Sequence, residues 1–213
     1  MLRTEEVEAR IRDGILRGEH GPGERLVERD LVEKYGASRT VLREVLRNLN
    51  GAGLVSYVPN IGHSVQKFSP QDLTNIYDLI VLLEGYAFEI AWPLIDGSPE
   101  EIEYLVQLNN KMKDACKDGK YGAYRKDNDS FHARFVELAN NTVLYETWRN
   151  LRTRHNSYPY LALMLPSSMD TFIESHDKII ACIRNKDAKG AKIELRNHME
   201  FSKEVLVRAF ANR

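Results

Sequence analysis

The sequence contains little cysteine and has no excess of either charge. Its 213 residues include only two cysteines, Cys116 and Cys182, which stand in no CxxC spacing and in no other metal-binding motif. We therefore expect reduced thiols in a cytoplasmic protein. Lys and Arg total 30 against 31 Asp and Glu, which gives a net charge of −1. No global electrostatic field favours nucleic acid, so any basic binding site must be local.

The sequence also lacks a long apolar segment. Its most apolar run, Leu79–Leu83, is far too short to cross a bilayer, which takes about 20 residues. Glutamates at positions 5, 6 and 8 leave no apolar region of the kind found in a secretory signal peptide. There is no internal repeat and no low-complexity stretch. We therefore expect no signal peptide and no association with a membrane.

A local basic site is present around Ser38–Arg47. Arg39 and Arg43 recur with Arg47 every four residues and share one face of a predicted helix, at about 100° per residue. Ser38 can cap this helix by accepting hydrogen bonds from first-turn amides. Guanidinium groups match phosphate oxygens and the O6/N7 edge of guanine in the major groove. A lone basic stripe is more typical of a solvated surface helix, so its interpretation depends on context. Five apolar residues form a separate face of the same helix: Val41, Leu42, Val45, Leu46 and Leu49.

The context is a predicted helix-turn-helix. Thr4–Arg17 and Leu26–Tyr35 have apolar residues at helical spacing, and the turn-forming Gly21-Pro22-Gly23 separates them. Gly36 is the residue type expected just after a helix, and it stands two residues before Ser38. A helix, a short turn containing glycine and a capped basic helix together make the helix-turn-helix pattern.

A β-hairpin is predicted directly after the basic helix. Residues 54–58 and 63–67 are rich in β-forming side chains and flank the turn Pro59-Asn60-Ile61-Gly62. In this position the hairpin would form the wing of a winged helix-turn-helix. The tip of such a wing can reach the minor groove or the phosphate backbone beside the recognition helix.

Residues 5 to 67 resemble the GntR family of bacterial transcription regulators. The resemblance rests on motifs that occur in order: the run Gly21–Leu31, then Ser38-Arg39-Thr40 with Arg43-Glu44-Val45-Leu46, then Gly53-Leu54-Val55 and Pro59–Gly62. Arg29 alone is also compatible with a surface ion pair to a nearby glutamate. Family operators are short palindromes in double-stranded DNA, which implies a homodimer. The operator contacts that the resemblance implies come from six residues: Arg29, Ser38, Arg39, Thr40, Arg43 and Gly62.

A second domain is predicted to begin at Ser69. Ser69 suits an N-cap, Pro70 the first helical position, and Asp72 the positive end of the helix dipole. We therefore divide the chain into a DNA-binding domain of residues 1–68 and an effector-binding and dimerisation domain of residues 69–213.

The second domain is predicted to be an all-helical bundle, so the fold class is mostly α with one small hairpin. We expect six or seven helices and no strand after residue 68, with an irregular stretch between Pro159 and Pro166. The first helix is apolar on most sides between Leu73 and Ile90, which predicts that it is buried or forms a dimer interface. The other helices are predicted over residues 98–117, 124–139, 143–155, 169–184 and 187–211.

This bundle resembles the effector domain of the FadR-type, or FCD, subfamily. The resemblance rests on Leu83-Glu84, Phe131-His132, Glu174-Ser175-His176 and Arg196-Asn197-His198. The subfamily usually has arginine four residues before the glutamate, where this chain has Ile80. Members of this subfamily respond to small organic acids and acyl compounds as effectors, so the resemblance implies a carboxylate effector. Arg152, on a neighbouring helix, is a candidate to contact that carboxylate.

Three histidines fall within apolar stripes of three predicted helices. His132, His176 and His198 could be hydrogen-bonded core residues or ligands of one metal ion, and the residues alone leave both alternatives open. The FCD resemblance implies a divalent metal bound by three histidines and an Asp or Asn. Asn128, one turn before His132, occupies the usual aspartate position, and Asp129 is the alternative fourth ligand. Imidazole-rich sites favour Zn or Ni.

Three functions are compatible with parts of this pattern. The first is a transcriptional regulator that binds DNA through the winged domain and an effector through the bundle. The second is a metal-dependent hydrolase built on the three histidines, with Glu84 or Asp129 as general base. Its weakness is that no HExxH-type spacing is present. The third is a helical scaffold with an inert core. The arginine helix and the predicted wing favour the first.

Overall fold

A computed structural model describes residues 3–156 and 166–211. The chain forms two compact units. One contains the chain up to Leu73 together with a segment that begins at Arg149, and the other contains Thr74–Trp148 and the C-terminal helices. This division falls five residues after the predicted boundary, and it assigns the end of one later helix to the first unit.

The first unit is a winged helix-turn-helix, as predicted. Its strands form an antiparallel sheet in the order β1-β3-β2. Its helices share one core, in which Leu42, Val45, Leu46 and Leu49 of the arginine helix are fully buried and Val41 is partly buried. The elements are α1 (Thr4–Leu16), β1 (Arg25–Leu26), α2 (Glu28–Tyr35), α3 (Arg39–Gly51), β2 (Val55–Val58) and β3 (Gly62–Val65).

The predicted start of the second helix is wrong. Arg25 and Leu26 form strand β1, which pairs with Ser64 and His63 of β3, and α2 begins only at Glu28. Leu26 is buried in the core of the first unit, so its apolar side chain serves strand packing instead of a helix face. A strand of two residues has no periodicity of its own, which explains why the local pattern did not show it.

The predicted turn and cap residues around α3 are confirmed. Gly36 adopts the left-handed conformation with φ of 64° and ends α2. The hydroxyl of Ser38 accepts a hydrogen bond from the Val41 amide at 3.2 Å. At the turn of the wing, Gly62 has φ of 101°, a conformation that residues with a side chain rarely adopt.

The second unit is helical, and in the described part of the chain no strand follows β3. The prediction for residues 159–165 lies outside the described residues, whereas α8 begins at Pro166, three residues before its predicted start. Residues of α4 and α7 occur in both units, because the division falls after Leu73 and after Trp148. The helices are α4 (Pro70–Ile95), α5 (Pro99–Lys117), α6 (Tyr121–Leu138), α7 (Thr142–Asn156), α8 (Pro166–Arg184) and α9 (Ala188–Ala211).

Helix α4 begins with the predicted cap. The Ser69 hydroxyl accepts from the Asp72 amide at 3.1 Å, and the Asp72 carboxylate accepts from the Ser69 amide at 2.8 Å. Hydrogen bonds from Ser69 hold the pKa of Asp72 below its usual value. Within residues 3–156 and 166–211, no helix has the length and apolarity needed to span a membrane.

Candidate functional site

The residues predicted to contact DNA lie on α2, on α3 and at the turn of the wing. Ser38 is half-buried because its hydroxyl caps α3, and Gly62 is half-buried at the start of β3. Leu42 and the other apolar residues of α3 anchor the helix in the core and leave its basic face in solvent. The remaining four residues are exposed: Arg29, Arg39, Thr40 and Arg43.

Two of these arginines form ion pairs. The Nε group of Arg43 donates to both carboxylate oxygens of Glu28, at 3.1 and 3.0 Å. Arg29 pairs with Asp30 at 3.1 Å, and its side chain is 83% exposed. An exposed pair of this kind contributes about 0–1 kcal/mol. The pairing of Arg29 therefore leaves its guanidinium available for a phosphate or a base.

Glu28 pairs with α3 and acts on the wing through its charge. It is the first residue of α2, and it binds Arg43 on α3. Burial lowers the pKa of His63 on the wing, and the negative charge of Glu28 acts on the same imidazole in the opposite direction. The sequence pattern does not single out Glu28. Its position three residues before Leu31 in a short helix carries no sign of a cross-helix contact.

In the second unit, α6, α8 and α9 bring the three predicted histidines together. His132, His176 and His198 are 1%, 0% and 3% exposed. One ring nitrogen from each lies within 4.8 Å of the others. The expectation that these side chains converge is confirmed, since they come from three helices distant in sequence.

Two of the histidines, His132 and His198, have a polar partner at Nδ1. His132 Nδ1 lies 2.8 Å from Glu84 Oε2, and Trp148 Nε1–H donates to the other Glu84 oxygen at 2.7 Å. His198 Nδ1 lies 2.6 Å from the Ser175 hydroxyl, which donates its own hydrogen to the Phe172 carbonyl at 2.7 Å. Both imidazoles are therefore oriented by neighbours outside the cluster.

These partners favour the tautomer with hydrogen on Nδ1 in both rings. An ionised carboxylate only accepts, so His132 Nδ1 carries the hydrogen that Glu84 receives. When the Ser175 hydroxyl gives its hydrogen to the Phe172 carbonyl, His198 Nδ1 is the donor in the contact with Ser175. With hydrogen on Nδ1 in both neutral rings, the two Nε2 atoms, which lie 3.2 Å apart, carry lone pairs.

The remaining predicted site residues are placed less centrally. Asn128 is half-buried on α6, one turn before His132. Asp129 lies 3.7 Å from Arg125 and is not part of the three-histidine cluster. Arg152 is buried on α7, four residues after Trp148.

The sequence pattern does not single out Trp148 as a site residue. Its burial within an apolar stripe resembles ordinary core packing. The one available clue is that a buried indole N–H usually finds an acceptor, and this acceptor is Glu84.

The class of protein follows from the first unit, whose three helices and wing are the architecture of a DNA-binding protein. Two family models place the chain more closely. The model described as bacterial regulatory proteins, gntR family, matches residues 3–65, and the FCD domain model matches residues 75–201, more than half of the chain. The chain therefore belongs to the GntR family of bacterial transcriptional regulators, in the branch with an FCD domain.

Individual proteins show the same relationship. The chain is 29% identical over 222 aligned positions to the Uxu operon transcriptional regulator of Escherichia coli K12, covering 95% of this chain and 86% of that protein. The solved structure of E. coli McbR/YncC matches with a TM-score of 0.80 at 24% identity. The match covers 100% of this chain and 99% of the McbR/YncC chain. The metal-free FCD domain of TM0439 has a TM-score of 0.58 at 16% identity, with 69% of this chain and 99% of that one covered. These two structures show a shared fold.

The family decides between the functions predicted from the sequence. The gntR family model describes regulatory proteins and the related proteins are named transcriptional regulators, so the protein is a transcriptional regulator and not an enzyme. The hydrolase alternative is not supported, and Glu84 binds His132 and Trp148 where that alternative required a general base.

Proposed function

We propose that this protein is a cytoplasmic regulator whose affinity for a palindromic operator is controlled by a small organic acid bound beside a divalent metal ion. The observation that carries the proposal is the convergence of three buried imidazoles, with one ring nitrogen of each within 4.8 Å of the others and two Nε2 atoms 3.2 Å apart. In the tautomers that have hydrogen on Nδ1, the lone pairs of these two Nε2 atoms repel each other, and a bound cation removes that repulsion. Two nitrogen ligands of one tetrahedral zinc ion, each about 2.0–2.1 Å from the metal, stand roughly 3.3 Å apart.

The donor set therefore fits a divalent ion, with Zn or Ni as the best candidates for imidazole ligands. His132, His176 and His198 would supply three nitrogens, and Asn128 the fourth protein ligand. Asp129 is the weaker alternative because it faces Arg125. A neutral Asn gives the ion less compensating charge than the usual Asp, while the Glu84 carboxylate supplies negative charge through His132.

The effector would be a carboxylate for two reasons. Three or four protein ligands leave coordination positions on the ion that an anionic oxygen can take. Arg152, the predicted effector contact, offers a guanidinium that matches a carboxylate. The test is a thermal-shift screen of small carboxylic acids on the zinc-loaded and the chelated protein. Acids that stabilise only the zinc-loaded wild type, and stabilise an Arg152→Gln variant less, support the proposal, whereas equal shifts with and without zinc contradict it.

The DNA part of the proposal assigns operator contact to six residues on the first unit. Arg39 and Arg43 on α3 would enter the major groove, with Ser38 and Thr40 at the start of the helix. Arg29 would contact the backbone beside it, and the tip of the wing at Gly62 would approach the neighbouring groove. The exposure of the arginines and the buried anchor of α3 support this assignment.

Glu28→Gln is expected to weaken operator binding even though it removes a negative charge. Loss of a charge that repels phosphate would by itself tighten binding to any DNA. However, Glu28 holds the Arg43 side chain by its Nε group, which leaves the terminal nitrogens directed for a bidentate contact with guanine. Fluorescence anisotropy with an operator duplex and an unrelated duplex should show a lower ratio of the two affinities.

The matched control for this prediction is Glu44→Gln, which removes the same charge from an exposed position on α3. We expect this control to retain the wild-type ratio of operator to unrelated affinity. If Glu28→Gln and Glu44→Gln raise the affinity for both duplexes by the same factor, Glu28 acts only through its charge and does not position Arg43.

A homodimer is part of the proposal because one chain offers one recognition helix and a palindrome offers two half-sites. Helix α4 supplies a surface for it. Five large apolar residues stand three or four positions apart on one exposed face of α4, while the opposite face is buried. An exposed apolar stripe of this kind is typical of an interaction surface. The five residues are Leu79, Leu82, Tyr86, Ile90 and Leu94.

Leu82→Asp is expected to convert the dimer into a monomer. Leu82 is 67% exposed near the middle of the α4 stripe, so a carboxylate there would be desolvated at the interface and would oppose association. Sedimentation velocity at micromolar concentration measures the result. The control is Val143→Asp, which changes a residue of α7 that is 74% exposed and should leave the dimer intact. A wild-type protein that sediments as a monomer would contradict this assignment.

A further inference from the structure

We propose that Glu84 and Trp148 link occupancy of the histidine cluster to the affinity of the protein for DNA. This inference rests on the proposed function, since it requires that the cluster binds an ion. It assigns regulation to two positioning residues outside the ligand set. The link runs from His132 on α6 to Glu84 on α4, and from Glu84 to Trp148 on α7.

The carboxylate of Glu84 ties three helices together with its two oxygens. Glu84 is 0% exposed and Trp148 is 4% exposed, so neither contact can be replaced by bulk water. A buried polar group that loses its partner costs about 1–3 kcal/mol, and a charged group costs more. An ion bound at Nε2 of His132 would therefore restrain Glu84 through Nδ1 of the same ring, and Glu84 would restrain the indole of Trp148.

The helices that carry Glu84 and Trp148, α4 and α7, are not the helices that carry the histidines. Helices α6, α8 and α9, which hold the histidines, belong to the second unit alone. In the described chain, α4 and α7 are the helices with residues in both units. Trp148 is the last residue of α7 in the second unit, and Arg149 is the first in the other. A restraint on α4 or α7 at this level therefore acts on a helix that also contributes residues to the first unit.

Ser175 provides a matched comparison. It orients His198 as Glu84 orients His132, through the Nδ1 atom at 2.6 Å. However, Ser175 lies on α8, which has no residues in the first unit. Loss of either contact should weaken metal affinity by about 10–100-fold, as is general for the partners of ligating histidines. Only loss of the Glu84 contacts should also uncouple the metal from DNA.

The experiment measures operator affinity of the full chain at saturating Zn²⁺ and in excess chelator. The wild type should show a ratio of the two affinities that differs from one by roughly 5–150-fold. Trp148→Phe removes the indole donor and keeps an aromatic ring, and Glu84→Gln leaves one acceptor oxygen for two donors. For both variants, operator affinity at saturating zinc should be nearly equal to operator affinity in chelator. Ser175→Ala should need more zinc and then reach the wild-type ratio.

The possible outcomes separate this inference from the proposed function. If the wild type binds no divalent ion, the metal site itself is wrong, and the inference falls with it. The link is wrong, and the metal site stands, if the wild type binds zinc but Trp148→Phe and Glu84→Gln keep the wild-type ratio of operator affinities with and without zinc. The same conclusion follows if Ser175→Ala loses that ratio at saturating zinc.

A measurement on the wild type guards against variants that fold poorly. Addition of zinc should slow amide hydrogen exchange in the Trp148 region of α7 and the Glu84 region of α4. Unchanged exchange in both regions would overturn the link, whatever the variants show.

Discussion

His176→Ala is expected to remove the bound divalent ion and the stability that the ion contributes. His176 is fully buried, with its ring centroid 4.4 Å from that of His198 and 5.7 Å from that of His132. At free zinc of about 100 times the dissociation constant, binding to the folded state contributes about 2.7 kcal/mol. For a chain of this length that corresponds to roughly 5–10 °C in melting temperature. Elemental analysis and melting curves with and without chelator measure both effects.

The control for this prediction is His20→Ala. His20 is also buried, but it lies in the first unit, where its ring nitrogens contact Glu24 at 2.8 Å and Tyr35 at 3.0 Å. This variant should lose stability and still bind one ion per chain with the wild-type response to chelator. If His176→Ala retains the ion, or if zinc and nickel do not stabilise the wild type, the three histidines are core residues.

Arg43→Ala is expected to weaken operator binding by about 1–3 kcal/mol, roughly 5- to 150-fold, if Arg43 makes one bidentate base contact. Arg43 lies in the second turn of the capped helix α3, on the face opposite its buried residues. The loss should be larger for the operator than for unrelated DNA, because a base contact carries sequence specificity and a phosphate contact does not. Anisotropy titrations with both duplexes measure the difference.

Arg17→Ala controls for the loss of one positive charge. Arg17 follows α1, and its side chain is 67% exposed and pairs with Asp13 at 3.7 Å. We expect its operator affinity to remain close to that of the wild type. If a folded Arg43→Ala variant binds the operator as tightly as Arg17→Ala does, Arg43 takes no part in sequence recognition.

Features with a local physical cause could be predicted from the sequence. The stripe that contains Leu42 placed α3, the hydroxyl of Ser38 placed its first turn, and Gly36 placed the end of α2. The helical bundle also followed from apolar periodicity, whereas the convergence of its three histidines followed from the resemblance to the FCD subfamily. Each of these inferences depends on residues within about two turns of one another or on the resemblance to a family.

Features that depend on contacts between distant segments could not be predicted. Strand β1 exists because Leu26 pairs with His63 of the wing, a partner far away in sequence. The roles of Glu84 and Trp148 depend on hydrogen bonds across three helices, which no periodicity records. Ile80, at the position where the FCD resemblance leads us to expect arginine, is fully buried in the structure. Its side chain therefore contributes to the core and supplies no charge to a ligand.

The most direct test of the account is a titration of the wild-type protein onto an operator selected from a randomised duplex library. The titration would be carried out in four conditions: excess chelator, saturating zinc, and each of these with a stabilising carboxylic acid from the thermal-shift screen. We expect the acid to change operator affinity in the presence of zinc by a factor of roughly 5–150, and to have no effect in chelator. Operator affinities that are the same in all four conditions would contradict a metal-dependent, effector-controlled regulator, even if the protein binds DNA.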